Sequence, residues 1–158
     1  MEDLRCLFLQ HNRLEKVENL ENFQKLTTLN MSHNFLSELT GLAGLPNLHT
    51  LIVSHNKFCG VKDLEELIGC KEVAVLDLSN NSIDESEVIQ QVLHRMENLK
   101  VLTYMGNPIV RKTKDYRLVK NISRLNWELP PKSTIEYVRK IILCLGILFS
   151  VYFFSGGK

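Results

Sequence analysis

The sequence predicts an α/β repeat solenoid, a horseshoe with short parallel strands on its concave side and turns or helices returning along its convex side. Three observations predict it. Asparagine recurs at positions 12, 34, 56, 81 and 107. Each asparagine sits inside the same frame of apolar residues, so one unit is repeated five times. After the last asparagine the frame gives way to apolar residues at helical spacing, the pattern expected of a helix that closes the stack.

The frame begins with Leu4, Leu7, Leu9, Asn12 and Leu14, and returns as Leu26, Leu29, Met31, Asn34 and Leu36. It continues as Leu48, Leu51, Val53, Asn56 and Phe58, then Val73, Leu76, Leu78, Asn81 and Ile83, and last Leu99, Leu102, Tyr104, Asn107 and Ile109. This is the spacing of a leucine-rich repeat. In each unit the second and third apolar positions alternate with their neighbours, as in Cys6-Leu7-Phe8-Leu9-Gln10, which reads as a strand with its leucines turned inward. The asparagine follows the strand, where its amide can satisfy backbone groups of a tight turn, so Asn12, Asn34, Asn56, Asn81 and Asn107 are assigned a structural role.

The first two units are 22 residues long, too short for a full return helix, and a turn or 3₁₀ segment is expected around Val17, Leu20 and Phe23 and around Leu39, Leu42 and Leu45. The next two lengths are 25 and 26. Leu64, Leu67 and Ile68 suggest a short helix in the third unit. Asp84 with Glu87 resembles a capping box, and Val88, Ile89, Val92, Leu93 and Met96 then recur at helix spacing. The closing helical cap is expected over 106–125, where Gly106-Asn107-Pro108 is followed by Tyr116-Arg117 and by Leu118, Val119, Ile122 and Leu125. The domain reading is therefore repeats over 1–125, a linker over 126–140 and an apolar tail over 141–158. Only three residues precede Leu4, so the first leucine layer is expected to be open, or covered by further repeats or a partner.

A composition of 44% hydrophobic and 23% charged residues is that of a folded domain rather than a disordered chain. The net charge of +1 conceals a polarity: residues 1–99 carry 8 Lys or Arg against 15 Asp or Glu, whereas residues 100–140 carry 10 against 3. Lys112, Lys114, Arg117, Lys120 and Arg124 surround one predicted helix without interleaved aromatics, so they read as a solvated cap and no nucleic-acid partner is expected. Four cysteines without C-x-x-C spacing fit a reduced, cytoplasmic compartment, and the acidic start, Glu2-Asp3, is not that of a signal peptide. From Ile141 to Phe154 the chain is apolar apart from Gly146 and Ser150. As a helix this run spans roughly 21 Å, short of the ~30 Å hydrocarbon core, so membrane contact through the tail is a secondary expectation.

The outward strand positions define the expected recognition surface: Phe8 and Gln10, Asn30 and Ser32, Ile52 and Ser54, Asp77 and Ser79, Thr103 and Met105. Phe8 and Ile52 are its expected apolar anchors. His11, His33 and His55, also assigned to the protein-binding concave face, share the slot before the asparagine and should stack about 4.8 Å apart at the edge of the sheet. No carboxylate or cysteine supplements that column, so no metal or other cofactor is assigned. Nucleophile elbow, phosphate loop and paired carboxylates are all missing from the sequence, and an enzyme is not expected.

The wording of the repeats carries a resemblance. Leu4-Arg-Cys-Leu-Phe-Leu-Gln10, Val17-Glu-Asn-Leu20, Leu26-Thr-Thr-Leu-Asn-Met-Ser-His-Asn34, Val75-Leu-Asp-Leu-Ser79 and Val101-Leu-Thr-Tyr-Met-Gly-Asn-Pro-Ile109, with Pro108 and then Tyr116-Arg117 in the cap, resemble the leucine-rich-repeat domain of the dynein axonemal assembly factors. The 22-residue units are also similar to those of the nuclear regulatory subunit of protein phosphatase 1. The resemblance covers about residues 4–125. It implies a cytoplasmic, cilium-associated scaffold that helps assemble the dynein arms of motile cilia, with dynein subunits, chaperones or other assembly factors as partners. A phosphatase-regulating module or a tail-anchored adaptor are the alternatives. Asn126-Trp127-Glu128-Leu129-Pro130-Pro131 and the apolar tail depart from the family pattern, which implies a truncated or alternatively terminated form.

Overall fold

A computed structural model describes residues 3–112. Five strands of three residues each, β1 (Cys6–Phe8), β2 (Thr28–Asn30), β3 (Thr50–Ile52), β4 (Val75–Asp77) and β5 (Val101–Thr103), form one parallel sheet in chain order. The register is strict: Leu7, Leu29, Leu51, Leu76 and Leu102 stand opposite one another from strand to strand. Because the side-chain period of a strand is two, this register sends every frame leucine to the same face. Leu29, Leu51 and Leu76 are fully buried. The molecule is thus the leucine-rich-repeat solenoid that the periodicity predicts.

The convex return differs from unit to unit. The first two units return without a helix, through turns that bury Val17 and Leu20 and then Leu39, Leu42 and Leu45. In the third unit α1 (Val61–Leu64) runs into a 3₁₀ segment, Glu65–Gly69. The start of α1 is tied down by two acids. Asp63 Oδ2 accepts from the backbone N–H of Cys59 at 2.6 Å and of Gly60 at 3.1 Å, and Glu85 of the next unit accepts from Val61 N–H at 2.9 Å. A Cβ at Gly60 would meet the Glu85 carboxylate at 2.5 Å, so a side chain there would displace Glu85 from Val61.

The fourth unit corrects the sequence reading. No single helix runs from Asp84 to Met96: α2 is only Glu87–Gln91, with Ser86 rather than Asp84 at the N-cap position and no side-chain capping bond, and a 3₁₀ turn follows at Leu93–Arg95. Val92, at φ −114°, breaks the helix. The chain must re-enter the stack at Leu99, and burying Val88, Val92, Leu93 and Met96 against the preceding unit outweighs continued helical hydrogen bonding. Helix α3 (Pro108–Lys112) begins the expected cap, with Pro108 at its first position, where the missing N–H goes unneeded. The rest of the cap, with Tyr116 and Arg117, and the segments 126–140 and 141–158 lie outside the described residues.

The amino-terminal layer is the less buried one. Leu4, Leu7, Leu9 and Leu14 are only partly buried, whereas their equivalents one unit later, Leu26, Leu29, Met31 and Leu36, are 0–1% exposed. Replacing residues 1–3 by a polar capping unit that stacks on these leucines is expected to raise the thermal unfolding midpoint and suppress self-association. Light scattering and circular dichroism on both versions check it; equal midpoints and equal monodispersity would mean that the first layer is already protected.

Candidate functional site

Strand-face residues form the candidate binding surface, and the structure sorts them. Cys6, Phe8 and Thr103 are exposed, Phe8 to 50%. Thr28, Thr50, Ile52, Val75, Asp77 and Val101 are half-buried on the same face. Met105, just past β5, is 58% exposed. This gives a shallow surface of apolar and small polar side chains on a rigid sheet.

Four residues expected on that surface are not available on it. Asn30, Ser32, Ser54 and Ser79 are buried, Asn30 and Ser32 almost completely. The strands end two residues earlier than the alternation suggests, so the position of Ser32, Ser54 and Ser79 belongs to the turn. Asn30 Oδ1 folds back to accept from Ser32 N–H at 3.0 Å, and Asp77 Oδ1 accepts from both the N–H (2.9 Å) and the hydroxyl (2.6 Å) of Ser79. The Asn30, Asp77 and Ser79 side chains thus bond within their own turns rather than facing a partner. Gln10, at the same position in the first unit, is half-buried, and its Oε1 is buried without a hydrogen-bond partner.

Behind the turns runs the asparagine ladder. Asn34 Nδ2 donates to the carbonyls of Leu9, Met31 and Ser32, while its Oδ1 accepts from Leu14 N–H. Asn56 Nδ2 donates to Met31, Val53 and Ser54, and Oδ1 accepts from Leu36 N–H. Asn81 and Asn107 repeat the arrangement, reaching back to Val53 and Leu78. Each ladder residue thus bonds its own turn and the preceding unit together. Asn12 bonds only its own turn and is exposed.

Next to the ladder every unit holds a residue with left-handed backbone: His11, His33, His55 and Asn80 at φ 57°, 54°, 54° and 52°, and Gly106 at 81°. The three imidazoles stack as the register predicts, with centroids 4.2 and 4.0 Å apart and planes within 16° of parallel. Asn80 Nδ2 contacts His55 Nε2 at 3.1 Å and ends the column. At Gly106 a Cβ would collide with Asn80 Oδ1 at 2.2 Å, so the fifth unit has no room for a side chain. Burial, then the charges of His55 and His11, hold His33 below the usual histidine range. Stacked rings direct their nitrogen lone pairs side by side rather than toward one point. Among the described residues no group of three or more His, Cys, Asp or Glu could hold a metal ion.

Two residue classes were not anticipated from the sequence. Phe35, two positions beyond His33, is 44% exposed, with Lys57 Nζ 4.6 Å above its ring. Its signal was its position: the slot between ladder asparagine and the next frame residue always faces out. Cys70 is buried, and desolvation followed by Glu66 pushes its thiol up to about 12, which makes it an inert packing residue. No helix among the described residues is long and apolar enough to cross a membrane.

This fold and ladder are those of a leucine-rich-repeat solenoid, and comparison with known proteins agrees. A family model described as leucine-rich repeats in two copies matches residues 2–44 and 24–69. The dynein axonemal assembly factor 1 homolog of Drosophila melanogaster is 46% identical over 56 residues, 35% of this chain and 4% of that protein. Human dynein axonemal assembly factor 1 is 45% identical over 55 residues, 35% of this chain and 7% of that protein. The chain resembles the repeat region of these factors and matches only a small part of their length. In three dimensions an internalin of Listeria monocytogenes superposes with a TM-score of 0.61 at 25% identity, covering 79% of this chain and 34% of that one. A chain of the Drosophila melanogaster SNF/U2A' complex gives 0.61 at 19% identity over 86% and 76%, which shows the shared fold.

Proposed function

We propose that this protein is a non-enzymatic binding scaffold acting in the cytoplasmic preassembly of the axonemal dynein arms of motile cilia. Its partners are dynein subunits, chaperones or other assembly factors, held on the concave sheet. The observation that carries the reading is the 45–46% identity of about a third of the chain to dynein axonemal assembly factor 1 of human and fly. The rigid parallel sheet supports it, because its register places Phe8, Asn30, Ile52, Asp77 and Thr103 in one row across five strands, with exposed Phe8 at one end and half-buried Ile52 at the centre. Apolar anchors on a preorganised surface give binding energy without an ordering cost.

The test is affinity purification from ciliating cells with wild type and with the double variant Phe8→Glu/Ile52→Glu. Recovery of dynein subunits or chaperones is expected to fall about tenfold or more, as when interface anchors are lost. Far-ultraviolet circular dichroism should stay unchanged, since neither residue belongs to the leucine core. Equal recovery from both proteins would move the binding site off the concave sheet, and recovery of no axonemal or chaperone component by wild type would overturn the pathway assignment.

A further inference from the structure

The edge of the solenoid carries a second surface, separate from the strand face. Its inner column is His11, His33 and His55, ring on ring. Two residues further along each unit stand Arg13, Phe35 and Lys57, all exposed, with the Lys57 ammonium over the Phe35 ring. Among the described residues the single salt bridge is Lys25–Asp3, so neither Arg13 nor Lys57 has a carboxylate partner, and no carboxylate lies within 4 Å of an imidazole nitrogen. Six neighbouring positions over three units thus present two fixed cations and three titratable rings, on a body whose residues 1–99 otherwise carry an excess of acid.

We propose that this edge is a docking strip for an extended, Glu- or Asp-rich polypeptide segment lying across the first three repeats. Charge complementarity and geometry both point to carboxylates. Within the column the imidazoles stack face on face, so the rings present their N–H edges at the spacing of the repeat. Edges donate to carboxylates; they give no platform on which nucleic-acid bases could stack.

The strip responds to pH, and the sign follows from the groups that face it. His33 meets His11 on one side and His55 on the other, and His55 meets the uncharged Asn80 amide. In the free protein, burial and the neighbouring rings disfavour the imidazolium at His33. Carboxylates laid along the column favour it. Binding therefore takes up protons, and affinity rises as pH falls from 7.5 to 6.0, while glutamates, ordinarily titrating near ~4.3, stay ionised.

The experiment titrates a fluorescent twelve-residue peptide of alternating Glu and Ser into the full chain at pH 7.5 and 6.0, with an isosteric Gln-Ser peptide and a single-stranded uridine oligonucleotide as comparators. The expected result is binding of the acidic peptide roughly five- to tenfold tighter at pH 6.0, no binding of the Gln-Ser peptide, and weaker binding of the oligonucleotide. The triple variant His11→Asn/His33→Asn/His55→Asn keeps the backbone feasible, since Asn80 already occupies the same slot at φ 52°. It should lose the pH response while retaining residual binding, and Arg13→Gln/Lys57→Gln should weaken binding at both pH values. Circular dichroism of each variant at both pH values reports the fold. Equal affinity at the two pH values, an undiminished pH response in the triple variant, or an oligonucleotide that binds more tightly than the peptide would overturn the assignment. Phe8→Glu/Ile52→Glu leaves this strip intact, so its outcome and that of the concave-face test are independent.

Discussion

Phe58→Ala is expected to destabilise the fold by about 3–5 kcal/mol, the range for truncating a buried aromatic residue. Phe58 is fully buried and is the bulkiest of the fully buried side chains among the described residues. It occupies the frame position held elsewhere by Leu14, Leu36, Ile83 and Ile109, so the third unit fills with a ring the space that its neighbours fill with an aliphatic chain. The units on both sides are locked by the ladder and by strand register, which limits collapse around the void. Urea denaturation followed by circular dichroism measures the loss. Phe8→Ala is the control: it removes a ring from the solvent side and should change stability by about 0.5 kcal/mol or less. Comparable losses from the two variants would mean that the frame does not define the core.

Asn56→Ala is expected to cost about 2–3 kcal/mol, and Asn12→Ala less than about 1 kcal/mol, although the two residues hold the same place in the repeat. The difference lies in what each leaves behind. Removing the Asn56 amide strands the buried N–H of Leu36 and weakens the satisfaction of the Met31, Val53 and Ser54 carbonyls, which span two units. Removing Asn12 frees only the carbonyls of Leu9 and Gln10 in an exposed turn, where water replaces the donor. Leu9 keeps a second donor in Asn34. Denaturant midpoints of the two single variants decide the matter, and equal losses would show that the ladder acts within units rather than between them.

The candidate site was legible in part. Phe8, Ile52, Asp77, Thr103 and Met105 lie where strand alternation places them, and the histidine column follows from register alone. Asn30, Ser32, Ser54 and Ser79 are buried instead, because alternation says which way a side chain leaves the strand and not whether the turn that follows encloses it or bonds to it. The Asp84–Glu87 pair met the spacing of a capping box, yet the helix starts after Ser86 and stops at Gln91. Spacing cannot register that the chain must reach Leu99 in the next layer.

The sequence by itself determined the solenoid, the number of units, the strand order, the inward leucines and the structural use of the asparagines. All of these follow from one period, and a period is a local property that survives without coordinates. Tertiary structure alone decided how far each strand runs, where the return helices break and which polar side chains are consumed by turns. Those outcomes depend on contacts between residues 20 or more apart in the chain, such as Leu14 N–H to Asn34 and Val61 N–H to Glu85, and contacts between units exist only once the units are stacked.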